Sequence, residues 1–195
     1  MIARLEGTLA AKEGNRAVID IGGVGFSVIV SQRTAAALPA VGDRAALATY
    51  LYVREDTLEL YGFLDMRERN LFERLNSVSG IGPKSALAVL NIAPVEQLVA
   101  AIHGGRTELL TRASGIGKRT AERVVLELKG KLDAAAAPQT LELMTVDLDL
   151  EETLTNLGWT RAQAKQALRE LDPALTTFKD RLKAALKKNS SPKSP

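Results

Sequence analysis

Two β-branched runs stand out along the first third of the chain: Arg16-Ala17-Val18-Ile19-Asp20-Ile21 and Val24-Gly25-Phe26-Ser27-Val28-Ile29-Val30. Gly22-Gly23 lies between them, and two glycines at that place predict a two-residue hairpin, whose turn positions need positive φ. Upstream, Ile2 to Lys12 predicts a first strand turning at Glu13-Gly14. Downstream, Ala45 to Val53 and Leu58 to Phe63 predict two more. Ser31 to Leu38 reads as a short alanine-rich helix, capped by Ser31 and stopped by Pro39. Five strands with a short helix after the third predict a small closed barrel of oligonucleotide-binding (OB) type over residues 1–64. Closing the sheet is the expected way to bury Val18, Phe26, Val28, Leu47, Leu51 and Phe63.

From residue 65 the period changes from two to that of helices, and a repeat emerges. Leu75-Asn76-Ser77-Val78-Ser79-Gly80-Ile81-Gly82-Pro83-Lys84-Ser85-Ala86 matches Leu110-Thr111-Arg112-Ala113-Ser114-Gly115-Ile116-Gly117-Lys118-Arg119-Thr120-Ala121, 35 residues later. Both copies read helix, Ser-Gly-Ile-Gly, helix, so residues 65–132 are expected to form an all-α tandem helix–hairpin–helix domain. Residues 133–149 lose that periodicity. They contain a run of four alanines and Pro138, carry no basic residue, and are expected to be a flexible acidic linker.

A third module is expected over residues 150–190. Leu154, Leu157 and Trp159 flank Gly158, a helix end. Thr160-Arg161-Ala162-Gln163 has the spacing of a capping box. Ala164, Ala167, Leu168 and Leu171 form the apolar stripe of a second helix, stopped by Asp172-Pro173. Leu175, Phe178, Leu182 and Leu186 mark a third. The fold class is thus multidomain α+β: a barrel, a tandem-hairpin domain and a three-helix, UBA-like C-terminal domain. The tail from Asn189 to Pro195 reads as disordered.

Composition narrows the chemistry. The 195 residues contain no cysteine and one histidine, His103. That excludes a disulfide scaffold, a thiolate nucleophile and a multi-His metal centre within one chain. His103 has no partner base or nucleophile in view and reads as a helix-end or surface residue. No Gly-rich loop is followed by Lys-Ser/Thr, so no nucleotide motor is expected, and no cofactor or metal is implied. The first residues carry charges where a signal peptide would be apolar, and no stretch is long and apolar enough for a membrane span. A cytoplasmic protein is expected. Net charge is +3 overall but runs −1, +4, −6 and +6 over residues 1–64, 65–132, 133–153 and 154–195, as in distinct modules with distinct partners.

The candidate chemistry lies in the hairpins. Gly80 and Gly115 allow the left-handed turn that ends a first helix. Ile81 and Ile116 fix the loop on the core, and Gly82 and Gly117 remove a side chain where something must approach the backbone. Pro83 suits a first helical position. The second helix of each copy then presents free N–H groups and its positive dipole end, an anion site that suits phosphate. Lys84 and Arg119 hold equivalent places, and Lys118 and Arg123 add charge to the second copy. Such contacts are blind to base sequence and sensitive to salt. Only 4% of the chain is aromatic, and Phe26, Tyr50, Tyr52, Tyr61 and Phe63 lie in strand-like runs where core packing explains most of them, so the barrel is a poor stacking platform for single strands. The turn Arg54-Glu55-Asp56-Thr57 reads either as a solvated hairpin tip or as paired functional carboxylates.

Val53-Arg54-Glu55-Asp56, Leu60-Tyr61-Gly62-Phe63, Gly80-Ile81-Gly82-Pro83-Lys84 and Gly115 to Arg123 together resemble the RuvA family, Holliday-junction-binding subunits of bacterial branch migration complexes. The resemblance covers essentially the whole chain; over the linker and tail it is one of character only. It implies a four-fold homotetramer on an open four-way DNA junction, and it admits a second, face-to-face tetramer and a RuvC-type resolvase as partners. It assigns Ser79, Gly80, Gly82, Lys84, Ser114, Gly115, Gly117, Lys118, Arg119, Arg123 and Arg54 to DNA. It makes Glu55 and Asp56 an acidic pin at the crossover. The C-terminal module would bind the hexameric ATPase RuvB through apolar positions such as Leu168 and Leu171. The chain itself would have no active site.

Overall fold

The structure, a computed structural model, describes residues 2–132, 137–172 and 174–189. The chain divides into two compact units, residues 1–134 and 135–195.

The first unit opens with β1 (Arg4–Glu13), β2 (Arg16–Ile21), β3 (Val24–Val30), α1 (Gln32–Ala37), β4 (Arg44–Val53) and β5 (Leu58–Phe63). The strands close into a barrel in the order β1-β2-β3-β5-β4, with β4 returning to β1. Only β3 and β5 run parallel, pairing Val28 with Leu60 and Val30 with Gly62. A parallel pair needs a long crossover, and here α1 and β4 provide it. Gly22 and Gly23 take φ values of +64° and +92°, and the Gly23 N–H donates to the Asp20 carboxylate (3.0 Å), closing the β2–β3 turn. Ser31 caps α1 by accepting the Thr34 N–H.

The inward phase of β2 differs from expectation. Ala17 and Ile19 fill the barrel, while Val18 is half-buried. All three are apolar or small, so alternation alone does not choose the face. Phe26 and Leu51 are half-buried at the rim of the barrel core, whereas Val28, Leu47 and Phe63 are fully buried.

Helices α2 (Met66–Asn76), α3 (Pro83–Ile92), α4 (Val95–His103), α5 (Thr107–Leu110) and α6 (Lys118–Leu128) complete the first unit. Beside the barrel's own core, a second hydrophobic cluster runs from Ile29, Tyr61 and Phe63 of the barrel into these helices. Phe72 of α2 joins them. Its ring lies 4.9 Å from Phe63, 5.1 Å from Tyr61 and 5.4 Å from Tyr50, centroid to centroid. These barrel aromatics are therefore turned toward the helices, at separations that favour ring–ring attraction. Arg69 adds a bond from its Nε to the Thr49 carbonyl (2.9 Å).

The start of α2 is fixed by two carboxylates. Asp65 caps it by accepting the Glu68 N–H (2.9 Å). Burial pushes the Asp65 carboxyl up, but the Glu68 and Arg67 N–H groups and the Arg67 guanidinium together hold it below the ordinary aspartate value. Glu68 is buried and accepts the Leu64 N–H (3.2 Å) and the Thr34 hydroxyl (3.3 Å), tying α2 to α1. Burial pushes its carboxyl up, only partly offset by those two bonds.

The second unit contains α7 (Ala137–Asn156), α8 (Arg161–Arg169) and α9 (Phe178–Asn189) around Leu154, Ala164, Leu171 and Ala185. Here the expected linker is corrected. Residues 133–136 lie outside the described residues, but 137–149 form the first turns of α7. Pro138 stands in the opening turn of the helix, where its missing N–H costs nothing. Asp147 is tied into the unit by Arg181, which is 5% exposed and reaches the carboxylate at 2.6 and 2.9 Å while a third donor meets the Leu175 carbonyl at 2.8 Å. The acidic segment is thus partly structural, helical from Ala137 and continuous with the first helix of the C-terminal unit.

The remaining signals at this end fare unevenly. Gly158 (φ +94°) ends α7, with Trp159 N–H bonding Leu154 carbonyl and Gly158 N–H bonding Thr155 carbonyl, a Schellman arrangement. The Thr160–Gln163 capping box is formed. In α9, Arg181 and Ala185 are the buried positions, with Leu182 half-buried beside them; Phe178 and Leu186 sit at the exposed edge. Pro173 and the tail from residue 190 lie outside the described residues.

Candidate nucleic-acid interface

The two Ser-Gly-Ile-Gly loops have the same hydrogen-bond skeleton. In the first, Val78 N–H donates to Leu75 carbonyl (3.1 Å), Ile81 N–H to Val78 carbonyl (3.0 Å) and Ala86 N–H to Gly82 carbonyl (2.9 Å). In the second, Ala113 bonds Leu110 (3.1 Å), Ile116 bonds Ala113 (3.1 Å) and Ala121 bonds Gly117 (2.9 Å). Gly80 and Gly115 take φ of +87° and +82°. They do not end the leading helices, as the sequence suggested. Helices α2 and α5 stop at Asn76 and Leu110, and a further turn precedes each glycine. Ile81 and Ile116 are buried, 6% and 5% exposed, and anchor the loops to the core.

Gly82 and Gly117 are the N-caps of α3 and α6, with φ of −97° and −83°. Any residue adopts such values. A Cβ at either position would meet nothing within 4 Å. No side chain caps either helix, so the first N–H groups of α3 and α6 are left to an outside acceptor. Pro83 opens α3. Lys84, Lys118 and Arg119 are exposed and form no ion pair with the described residues. Ser79 and Ser114 are exposed beside their glycines. Arg123 is exposed but engaged: its Nη1 donates to the Ser79 carbonyl at 2.9 Å.

A residue that the sequence reading passed over is Ser85, whose hydroxyl lies 2.9 Å from where Gly115 would carry a Cβ. The repeat held the signal, since Ser85 and Thr120 occupy equivalent places as hydroxyl residues.

The acidic turn is a two-residue hairpin between β4 and β5. Arg54 N–H donates to Thr57 carbonyl (2.8 Å) and Thr57 N–H returns to Arg54 carbonyl (3.4 Å), leaving Glu55 and Asp56 exposed at the tip. Val53 and Leu58 pair beneath it, 62% and 74% exposed. Arg54 is folded back: its Nε donates to the Tyr52 hydroxyl (2.6 Å) and its guanidinium lies 5.2 Å from the same ring's centroid. Tyr61, packed edge-on against Tyr52, has its hydroxyl pushed well above the ordinary tyrosine value by burial, reinforced by its bond to Glu59.

His103 ends α4, and its Nε2 lies 3.1 Å from the Leu132 carbonyl. A carbonyl only accepts, so the nitrogen facing it carries the proton. Among the described residues no three His, Asp or Glu side chains are grouped to hold a metal, and no single helix is long and apolar enough to cross a membrane. In the C-terminal unit, Leu171 is buried in the core and Leu168 is half-buried against it. Leu171 is therefore covered by the unit's own core, and among the described residues there Leu148, Leu157, Phe178 and Leu186 are the exposed large apolar side chains.

A barrel fused to paired helix–hairpin–helix loops, followed along the chain by a separate helical unit, defines a class of backbone-gripping DNA-binding protein. Comparison with known proteins narrows it. Residues 1–62 match the RuvA N terminal domain, 72–131 the SAM-like helix-hairpin-helix tandem and 148–190 the RuvA C-terminal domain. The Holliday junction branch migration complex subunit RuvA of Chloroflexus aggregans is 41% identical over 190 residues, covering 96% of this chain and 97% of its own. That of Thermomicrobium roseum is 42% identical over 193 residues, covering 98% and 100%. That of Solibacter usitatus is 43% identical over 179 residues, covering 89% and 91%. The chain belongs to the RuvA family.

Proposed function

We propose that this protein is the Holliday-junction-binding subunit of a RuvA–RuvB branch migration complex, acting in recombination and DNA repair. It grips DNA through its backbone without reading bases, recruits the RuvB ATPase and performs no catalysis itself. The observation that carries the reading is Gly82 with Gly117. Neither needs positive φ and neither faces a crowded neighbour. The fold gives no reason for glycine there; a phosphate drawn onto the bare start of α3 or α6 does. Lys84, Lys118 and Arg119 add attraction around those sites.

The acidic tip opposes that attraction. In a four-fold tetramer on an open junction, Glu55 and Asp56 from each subunit gather near the axis and repel phosphates at the crossover, steering strands into the arms. Linear duplex offers no central opening and is penalised. The C-terminal unit is the RuvB-binding module, presenting Leu148, Leu157, Phe178 and Leu186. A second tetramer across the junction, a RuvC-type resolvase as further partner and a cytoplasmic location belong to the same reading.

A gel-shift comparison of four-way junction, linear duplex and single strand tests it, with magnesium added to reveal any cleavage. Junction is expected to bind best and stay intact. In Glu55→Gln/Asp56→Asn, affinity for both DNAs rises and the junction preference shrinks. Cleavage, or an unchanged junction-to-duplex ratio in that variant, would overturn the proposal.

A further inference from the structure

The two hairpins are not independent copies, because the second helix of each approaches the loop of the other. From α6, Arg123 reaches across to the Ser79 carbonyl (2.9 Å). From α3, the Ser85 hydroxyl stands 2.9 Å from where a Cβ of residue 115 would lie, so the glycine there makes room for it. The arrangement is one-sided. The residue 35 positions before Arg123 is Ala88, which has no donor to return, and the nearest side chain to the Gly80 Cβ position is again Arg123, at 3.7 Å.

We propose that Arg123 is a positioning residue that clips the first hairpin to the second, rather than a phosphate ligand. The proposal rests on the reading of both loops as phosphate sites. A guanidinium bonded to a carbonyl makes a charge-assisted bond, stronger than a neutral one. A trans peptide carries its N–H antiparallel to its C=O. Holding the Ser79 carbonyl therefore also fixes the direction of the Gly80 N–H in the loop. Gly80, at φ +87°, is the residue with most freedom to turn that peptide over. Arg123 removes this freedom and sets the spacing between the two phosphate sites on one arm.

The distinguishing experiment is a salt titration of four-way-junction binding by the full-length protein and three variants. Lys84→Ala serves as the phosphate-ligand control and should flatten the log–log salt slope by about 0.9 for each phosphate it no longer neutralises. Arg123→Ala should weaken binding by about tenfold at every salt concentration and leave the slope unchanged. Arg123→Lys keeps the charge but not the planar fork, and should behave like the alanine variant. In DNA-free protein, the Gly80 amide nitrogen resonance should move in both Arg123 variants, because that nitrogen shares the peptide whose carbonyl is released. A slope that flattens in Arg123→Ala as in Lys84→Ala would overturn the clip, as would wild-type binding by Arg123→Lys or an unmoved Gly80 resonance. Failure of the unaltered protein to bind the junction would instead overturn the phosphate-site reading, and the free-protein resonance would still decide the clip.

Discussion

The two helix–hairpin–helix copies share a loop and little else. Their loop hydrogen bonds agree within 0.1 Å or less, pair by pair, yet the helix leading into the first has 11 residues and the one leading into the second has four. The first copy is held from outside: α2 packs Phe72 on the barrel aromatics and Glu68 on Thr34 of α1. In the second, Leu110, Ala113 and Ile116 are buried in the core that the first copy also enters. The loop geometry is therefore a local property of Ser-Gly-Ile-Gly on a buried isoleucine, and the leading helix is free to serve other ends. In the first copy it became the joint with the barrel.

The largest effect that should separate the copies is at that joint. Phe72→Ala removes the ring on which Tyr50, Tyr61 and Phe63 converge, and should cost about 3–5 kcal/mol in urea unfolding. If it costs less than an ordinary surface change, the shared core is not what holds the first hairpin.

Next come the left-handed glycines. Gly80→Ala should pay only the backbone strain of positive φ, about 1–2 kcal/mol. Gly115→Ala should incur the same strain plus displacement of Ser85, whose hydroxyl lies 2.9 Å from the new methyl position. The excess should disappear in a Ser85→Ala background. Equal costs in the original background would show that the second loop yields more readily than its geometry indicates.

The smallest effect is a pH signature confined to the first copy. The Glu68 carboxyl is raised in the folded protein by burial. Its contribution to stability is fully present below the ordinary glutamate value and is lost as pH rises through the higher folded value. Thermal melts of Glu68→Gln and the unaltered protein should therefore show the glutamine variant gaining ground as pH rises from acid toward neutral. A gap that is constant with pH would mean that the carboxyl is not perturbed as described.

Much of this could be read in the sequence because the signals are local. Gly22-Gly23, Ser31, Thr160–Gln163 and Gly158 each act within one turn, and each forms as expected. The paired hairpins were legible for the same reason, with the repeat doubling the signal. What escaped depended on distant partners. Nothing near Pro138 announces that Asp147 will find Arg181, 34 residues on, and so a helix was read as a tether. Leu171 looked available because a stripe does not say which of its members face a core. Nothing near Arg123 announces its bond to the Ser79 carbonyl, which lies 44 residues away.

On the proposed function, Gly82 and Gly117 stay bare so that phosphate can reach the starts of α3 and α6. The direct test is Gly82→Asn/Gly117→Asn. Asparagine is a good, uncharged N-cap and meets open space at both positions, so the variant should fold with unchanged or slightly greater thermal stability. Its side chains would occupy the N–H groups that phosphate needs, and junction affinity at fixed salt should fall by at least about tenfold for each hairpin. A folded double variant that binds the four-way junction as tightly as the unaltered protein would contradict the account.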